Sequence, residues 1–132
     1  MKKKVVIITG ASSGIGLATA KLFAMKGYTV YGISRNVYRS SLFDSYACDV
    51  TDRERMAQVL DDIYQKEGRI DILINNAGMG ISGAIEYLTE QDFDKIFRVN
   101  VKGVILTSSL AIPYLRETKG KIINTSSVAS VV

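Results

Sequence analysis

The chain has 132 residues, 47% hydrophobic and 23% charged, with a formal net charge of +4, one cysteine, one proline and neither histidine nor tryptophan. Such a composition suits one globular domain with a real core and excludes intrinsic disorder. A lone cysteine without histidine excludes an internal disulfide and a structural zinc site, and a charge this small, much of it in Lys2–Lys4, excludes a nucleic-acid footprint.

Val5–Thr9 reads as a short buried strand, and the loop Gly10-Ala11-Ser12-Ser13-Gly14-Ile15-Gly16 follows at once. A helix then opens at Ile15, with Ile15, Ala18, Leu22 and Met25 as its expected buried stripe, and closes at Gly27. Tyr28–Ser34 is the second strand, and Arg35–Ser45 lacks the periodicity of a helix and reads as a loop. Tyr46–Val50 is the third strand. Thr51 and Glu54 form a capping-box pattern ahead of a helix whose stripe is Met56, Val59, Leu60 and Ile63. Ile70–Ile74 is the fourth strand. Thr89 and Asp92 open a long helix with Phe93, Ile96, Phe97, Val101, Val104 and Ile105 as its expected buried stripe, and Lys121–Ser126 is the fifth strand. Short, nearly continuous apolar strands joined by helices imply a doubly wound, mostly parallel α/β sheet of Rossmann type, in one domain over residues 1–132. No apolar run reaches bilayer-spanning length. The four apolar residues after Lys2–Lys4 are too few for a signal peptide, so a cytoplasmic protein is expected.

In such a sheet ligands bind beyond the carboxyl ends of the strands, and the chemically interesting residues all fall there. A strand that breaks into glycines and becomes a helix brings backbone N–H groups against a diphosphate. Gly10, Ser12, Ser13, Gly14, Ile15 and Gly16 are therefore candidate dinucleotide contacts, with a purely structural turn as the alternative. Gly10 permits a tight turn; Gly14 and Gly16 permit close approach of phosphate and helix. No Gly-Lys-Ser/Thr closes the loop, which excludes a Walker-type phosphate site.

Ser34 and Arg35 stand where a carboxylate would select an unphosphorylated ribose, and a guanidinium there matches a 2′-phosphate. NADP is the expected cofactor, with NAD possible; Arg39 could assist, and a solvated Arg35 is the alternative. Asp49, followed by Val50, could accept from an adenine amino group or cap the next helix from outside. Cys48 reads as structural. Asn75-Asn76-Ala77-Gly78 follows the fourth strand as a wall for a flat ligand, with Asn76, Ala77 and Gly78 as contacts. Asn100 falls on the expected buried stripe of the long helix, where an amide needs a partner. It either packs the helix or holds a water or lysine in a proton path. Ser126 and Ser127 end the fifth strand near the nicotinamide position. Serine hydrolysis is the rival use, but no histidine and no nucleophile elbow accompany them.

Taken together, these residues resemble the amino-terminal portion of a classical short-chain dehydrogenase/reductase. Thr9–Gly16 matches that family's glycine motif, Asp49 its adenine-contacting aspartate and Asn75–Gly78 its Asn-Asn-Ala-Gly motif. Asn100 matches its helix-borne active-site asparagine and Ser127 its catalytic serine, while Ser34-Arg35 resembles the NADP-preferring members. The resemblance implies hydride transfer between a nicotinamide and a carbonyl or alcohol substrate, and homo-oligomers. It also implies a tyrosine, with a lysine four residues later, beyond the serine. None of the seven tyrosines takes that position. The expectation is a sheet lacking its carboxyl-terminal strands and helices, and a chain inactive by itself. A catalytically incomplete nucleotide-binding or interaction module is the alternative.

Overall fold

The computed structural model describes residues 2–78 and 85–125. Five parallel strands lie in the order β3-β2-β1-β4-β5. They are β1 (Val5–Thr9), β2 (Thr29–Ser34), β3 (Asp44–Ala47), β4 (Ile72–Asn75) and β5 (Lys121–Asn124). The helices are α1 (Gly14–Met25), α2 (Arg53–Glu67), α3 (Glu90–Phe97) and α4 (Gly103–Thr118), the last two joined by a π-helical turn at Arg98–Lys102. The doubly wound Rossmann-type sheet is thus present, with the third strand placed earlier than its apolar run suggested. Residues 35–43 form a loop, anchored by Phe43 packed beneath Gly32.

β1 is the centre of the core because its side chains alternate between two buried faces. Val5 and Ile7 face a cluster with Tyr31, Ile33, Leu73 and the inner side of α2 and α4. Val6 and Ile8 face Val30, Phe43 and Ala20 of α1. All four β1 residues are at most 1% exposed. Each such side chain stabilises the fold by roughly 1.5–3 kcal/mol. Asp71, just before β4, ties β4 to β1 at the amino-terminal end of the strands. Its carboxylate accepts from the Val5 N–H at 2.8 Å and from Arg69 at 2.6 and 2.8 Å.

Two helix faces differ from expectation. α1 buries Gly16 and Ala20, while Ile15, Leu22 and Met25 are 73%, 52% and 73% exposed. Small residues turned inward let the helix approach the glycine loop, and both of its sides are apolar, so periodicity could not choose between them. The long helix likewise buries Gly103, Thr107, Ala111 and Leu115. Phe93, Phe97, Val101 and Ile105 form an exposed stripe along a groove of about 680 Å³. The π turn widens the hydrogen-bond spacing from i→i+4 to i→i+5, which shifts the phase of the following faces.

The continuous helical stretch Glu90–Thr118 meets the length and composition of a membrane-crossing helix, although charged residues interrupt its apolar run. In the fold its small-residue face packs against the sheet layer.

Candidate functional site

The glycine loop leaves β1 with three different steric roles. Gly10 has φ +68°, and a Cβ there would lie 2.9 Å from the Ala77 backbone. Gly14 has φ +56° and open space beside it, the combination that allows an external group to approach. A Cβ on Gly16 would lie 2.1 Å from the Gly10 carbonyl oxygen and 2.4 Å from Asn76 Nδ2. Its bareness therefore serves close packing of helix on loop. Ser13 occupies the N-cap of α1 in extended conformation without a side-chain cap, and the first turn has no acidic residue. Its leading N–H groups and the positive end of its dipole suit an anion. Ser12 is half-buried, and Ser13, Gly14 and Ile15 are exposed at this end.

Hydrogen bonds fasten this loop to the neighbouring strand ends. The Thr9 hydroxyl accepts from the backbone N–H groups of Asn76 and Ala77, both at 3.0 Å. Asn76 Nδ2 donates to the Gly10 carbonyl at 3.2 Å, and its Oδ1 accepts from the Thr125 hydroxyl at 3.2 Å. Asn75 Nδ2 donates to Ser108 Oγ at 3.0 Å and to Asn124 Oδ1 at 2.9 Å. One polar network thus joins the ends of β1, β4 and β5 to α4. Ser108 and Thr125 enter the site only through the tertiary structure, and Thr9 gains its role as acceptor there. For Thr9 the signal was available, a hydroxyl at a strand end immediately before the first loop glycine.

Asn100 lies within the π turn and is half-buried, where the sequence suggested a fully buried stripe. A Cβ on Gly78 would stand 3.2 Å from its Oδ1, so the amide borders the Asn76-Ala77-Gly78 wall. Ser126 and Ser127 lie outside the described residues.

Arg35, Asp49, Val50 and Gly78 meet, with Val99, around a small cavity of about 80 Å³. Val99 is a further lining residue that only the helix placement reveals. The Ser34 hydroxyl donates to the Asn36 carbonyl at 2.5 Å, bending the chain after β2. Arg35 is exposed and makes no salt bridge among the described residues. Asp49 Oδ1 accepts from both the N–H and the hydroxyl of Thr51, at 2.9 and 2.7 Å. These two bonds, in that order, hold its carboxyl below the usual carboxylate range; burial opposes them, and Arg35 and Arg98 add to the lowering. The expected cap at Thr51 is corrected: α2 is capped by Asp52, whose side chain accepts from the Arg55 N–H at 3.1 Å. Beside it, burial pushes the Cys48 thiol up to about 11, which suits a structural cysteine.

One lysine does approach a tyrosine. Lys66 Nζ donates to the Tyr46 hydroxyl at 3.0 Å, and Tyr46 also bonds Asp62. This pair joins β3 to the last turn of α2, and neither residue lines the small cavity. Burial, followed by the bond to Asp62, raises the Tyr46 hydroxyl, the wrong direction for a proton donor tuned toward neutrality.

Comparison with known proteins is consistent across sequence and structure. A family profile described as short chain dehydrogenase matches residues 4–132. The 3-oxoacyl-acyl-carrier-protein reductase FabG of Thermotoga maritima is 37% identical over 99% of this chain and 58% of its own length. The 3-ketodihydrosphingosine reductase of Bacteroides thetaiotaomicron is 39% identical over 100% of this chain and 50% of its own. Among solved structures, the aldohexose dehydrogenase of Thermoplasma acidophilum superposes with a TM-score of 0.87 at 37% identity, covering 96% of this chain and 50% of that one. The chain therefore spans about half the length of the relatives it matches. A parallel sheet that opens through a three-glycine loop into a helix, matched across nearly every residue at this identity, places the chain in the short-chain dehydrogenase family.

Proposed function

We propose that this chain is the dinucleotide-holding part of an oxidoreductase, with NADP preferred over NAD and a small carbonyl or alcohol compound as the substrate of the whole protein. The observation that carries the reading is the convergence of Arg35, Asp49, Val50 and Gly78 on one cavity. The residues present fit the cofactor: Gly14 leaves open space beside an uncapped helix start. A nicotinamide dinucleotide supplies the hydride when bound. The loop N–H groups of Ser12 to Gly16 hold the diphosphate, Asp49 and Val50 face the adenine, and Arg35 faces the 2′-phosphate. Asn76, Ala77 and Gly78 form a wall against the cofactor. Asn100 supports a proton path and Ser127 steadies the substrate oxygen.

A second reading has a specific observation behind it. No tyrosine with a lysine four residues later exists in the sequence, and the Lys66–Tyr46 hydrogen bond belongs to the β3–α2 packing. The 132-residue chain then acts as a binding module, and reduction requires a proton donor supplied outside these residues. Fluorescence titration with NADPH and NADH, beside an assay with aldehydes, ketones and secondary alcohols, tests both readings. Binding with NADPH favoured and no turnover is the expected result for the 132-residue chain. Failure to bind either dinucleotide while folded removes the proposed function, and enzymatic turnover removes the module reading.

The whole protein is also read as a homo-oligomer. The stripe Phe93, Phe97, Val101 and Ile105 is bordered by Arg53, Asp94, Arg98 and Lys102. A second copy seated on this stripe would cover its apolar residues. Light scattering of the whole protein is expected to give at least a two-copy mass. A single-copy mass across micromolar concentrations would remove this reading.

A further inference from the structure

Thr51 is the residue whose observed role departs most from its sequence pattern. Its spacing to Glu54 suggests a helix cap, yet Asp52 caps α2 and the Thr51 hydroxyl is turned back onto Asp49. Two donors from one residue, the N–H at 2.9 Å and the hydroxyl at 2.7 Å, converge on a single carboxylate oxygen. That pair of bonds fixes the plane of the carboxylate. The other oxygen, Oδ2, takes no hydrogen bond from the described residues. Asp49 is exposed and lines the small cavity with Val50 and Gly78, so the group is held at an opening toward solvent. Two cations lie within electrostatic reach, Arg35 and Arg98. A carboxylate released from Thr51 could turn toward either of them.

We propose that Thr51 is a positioning residue: it locks Asp49 so that the second carboxylate oxygen selects a purine with a 6-amino group against one with a 6-oxo group, and it keeps that carboxylate off Arg35. The proposal rests on the reading of Asp49 as the purine-facing group. An ionised carboxylate only accepts hydrogen bonds. It therefore welcomes the amino group of adenine and repels the oxo group of hypoxanthine. Repulsion of this kind discriminates only if the carboxylate cannot turn away. The Thr51 hydroxyl supplies that restraint, and a carboxylate neutralised by Arg35 would lose the selectivity and occupy the guanidinium.

The test is the ratio of dissociation constants for NADPH and its hypoxanthine analogue, measured on the whole protein and on Thr51→Val, Thr51→Ser and Asp49→Asn. The unaltered protein is expected to favour the adenine form roughly ten-fold or more, the scale of one charge-assisted hydrogen bond. Thr51→Val should bring the ratio to within about three-fold of unity, Thr51→Ser should restore it, and Asp49→Asn, whose amide can donate, should favour hypoxanthine. A merely structural Thr51 would weaken both nucleotides equally and leave the ratio intact, which overturns the proposal. A ratio near unity in the unaltered protein overturns it as well, while binding itself stands. Absence of binding to either nucleotide overturns the underlying reading together with it. Should Thr51→Val not fold, a ratio unchanged in Asp49→Asn is sufficient to overturn the proposal.

Discussion

An Arg35→Asp variant of the whole protein is expected to bind NADP roughly ten-fold to a hundred-fold more weakly, while NAD affinity is held or improved. Arg35 is exposed, lines the cavity with Asp49 and forms no salt bridge among the described residues. Its guanidinium is therefore available for a phosphate, whose geometry its paired donors match. A carboxylate in its place would accept from ribose hydroxyls and repel a 2′-phosphate. It would also stand near the ionised Asp49, adding a second like charge at the same opening. Ser12 and Ser13 contribute no cation from the glycine loop, so the discrimination falls mainly on Arg35. Calorimetric titration of both proteins with both cofactors reads the effect. Equal affinity of the unaltered protein for NAD and NADP would show Arg35 to be a solvated bystander.

Asp71→Ala is expected to be the most destabilising polar substitution in the sheet. The carboxylate is almost wholly buried and holds the Val5 N–H at the start of the central strand, as well as the Arg69 guanidinium. Its removal leaves a buried donor unsatisfied, a loss of about 1–3 kcal/mol for that group alone. Urea unfolding at neutral pH should show this as a lower midpoint at unchanged slope. The contact also carries a pH signature. Burial pushes the Asp71 carboxyl up, but the Arg69 guanidinium and the Val5 amide outweigh it and hold it below the usual carboxylate range. A carboxyl lowered in the folded state contributes stability above its unfolded value, near 3.9. That contribution is lost as pH falls through the lowered folded value. The stability gap between the unaltered protein and Asp71→Asn should therefore narrow in acid from its neutral value. A gap that stays constant between neutral pH and strong acid would refute the role assigned to the ionised group.

Short-range signals made much of the fold legible. The strand Val5–Thr9 breaking into glycines, the β-branched run before Ser34 and the capping pair Thr89–Asp92 each act over a few residues, and each is found where its chemistry demands. The small, continuous apolar strands implied a parallel sheet buried on both faces, and β1 is packed on both. The candidate cofactor residues were legible for the same reason, since strand ends in such a sheet share one edge. Arg35, Asp49, Val50 and Gly78 come together there although far apart in the chain.

Packing decided what periodicity could not. Hydrophobicity alone turned Ile15, Leu22, Phe93 and Phe97 inward, whereas α1 and the start of α4 approach their neighbours through small residues. Gly16, Ala20, Gly103 and Ala111 therefore face the interior. The π turn around Asn100 changes the helical phase by one residue, an event with no local sequence mark, and it sets that amide against Gly78. The Thr51 hydroxyl had two available settings, accepting from an N–H at a helix start or donating to a neighbouring carboxylate. Only the tertiary position of Asp49 at the end of the sheet settled which one it serves, because Asp52 already met the needs of the helix. Thr9, Asn75, Asn76, Ser108, Asn124 and Thr125 likewise became one network only when three strand ends and a helix were brought to hydrogen-bonding distance. Local chemistry thus specified the elements and their polar ends. The closeness allowed by small residues, and the long-range hydrogen bonds it permits, determined how those ends face one another.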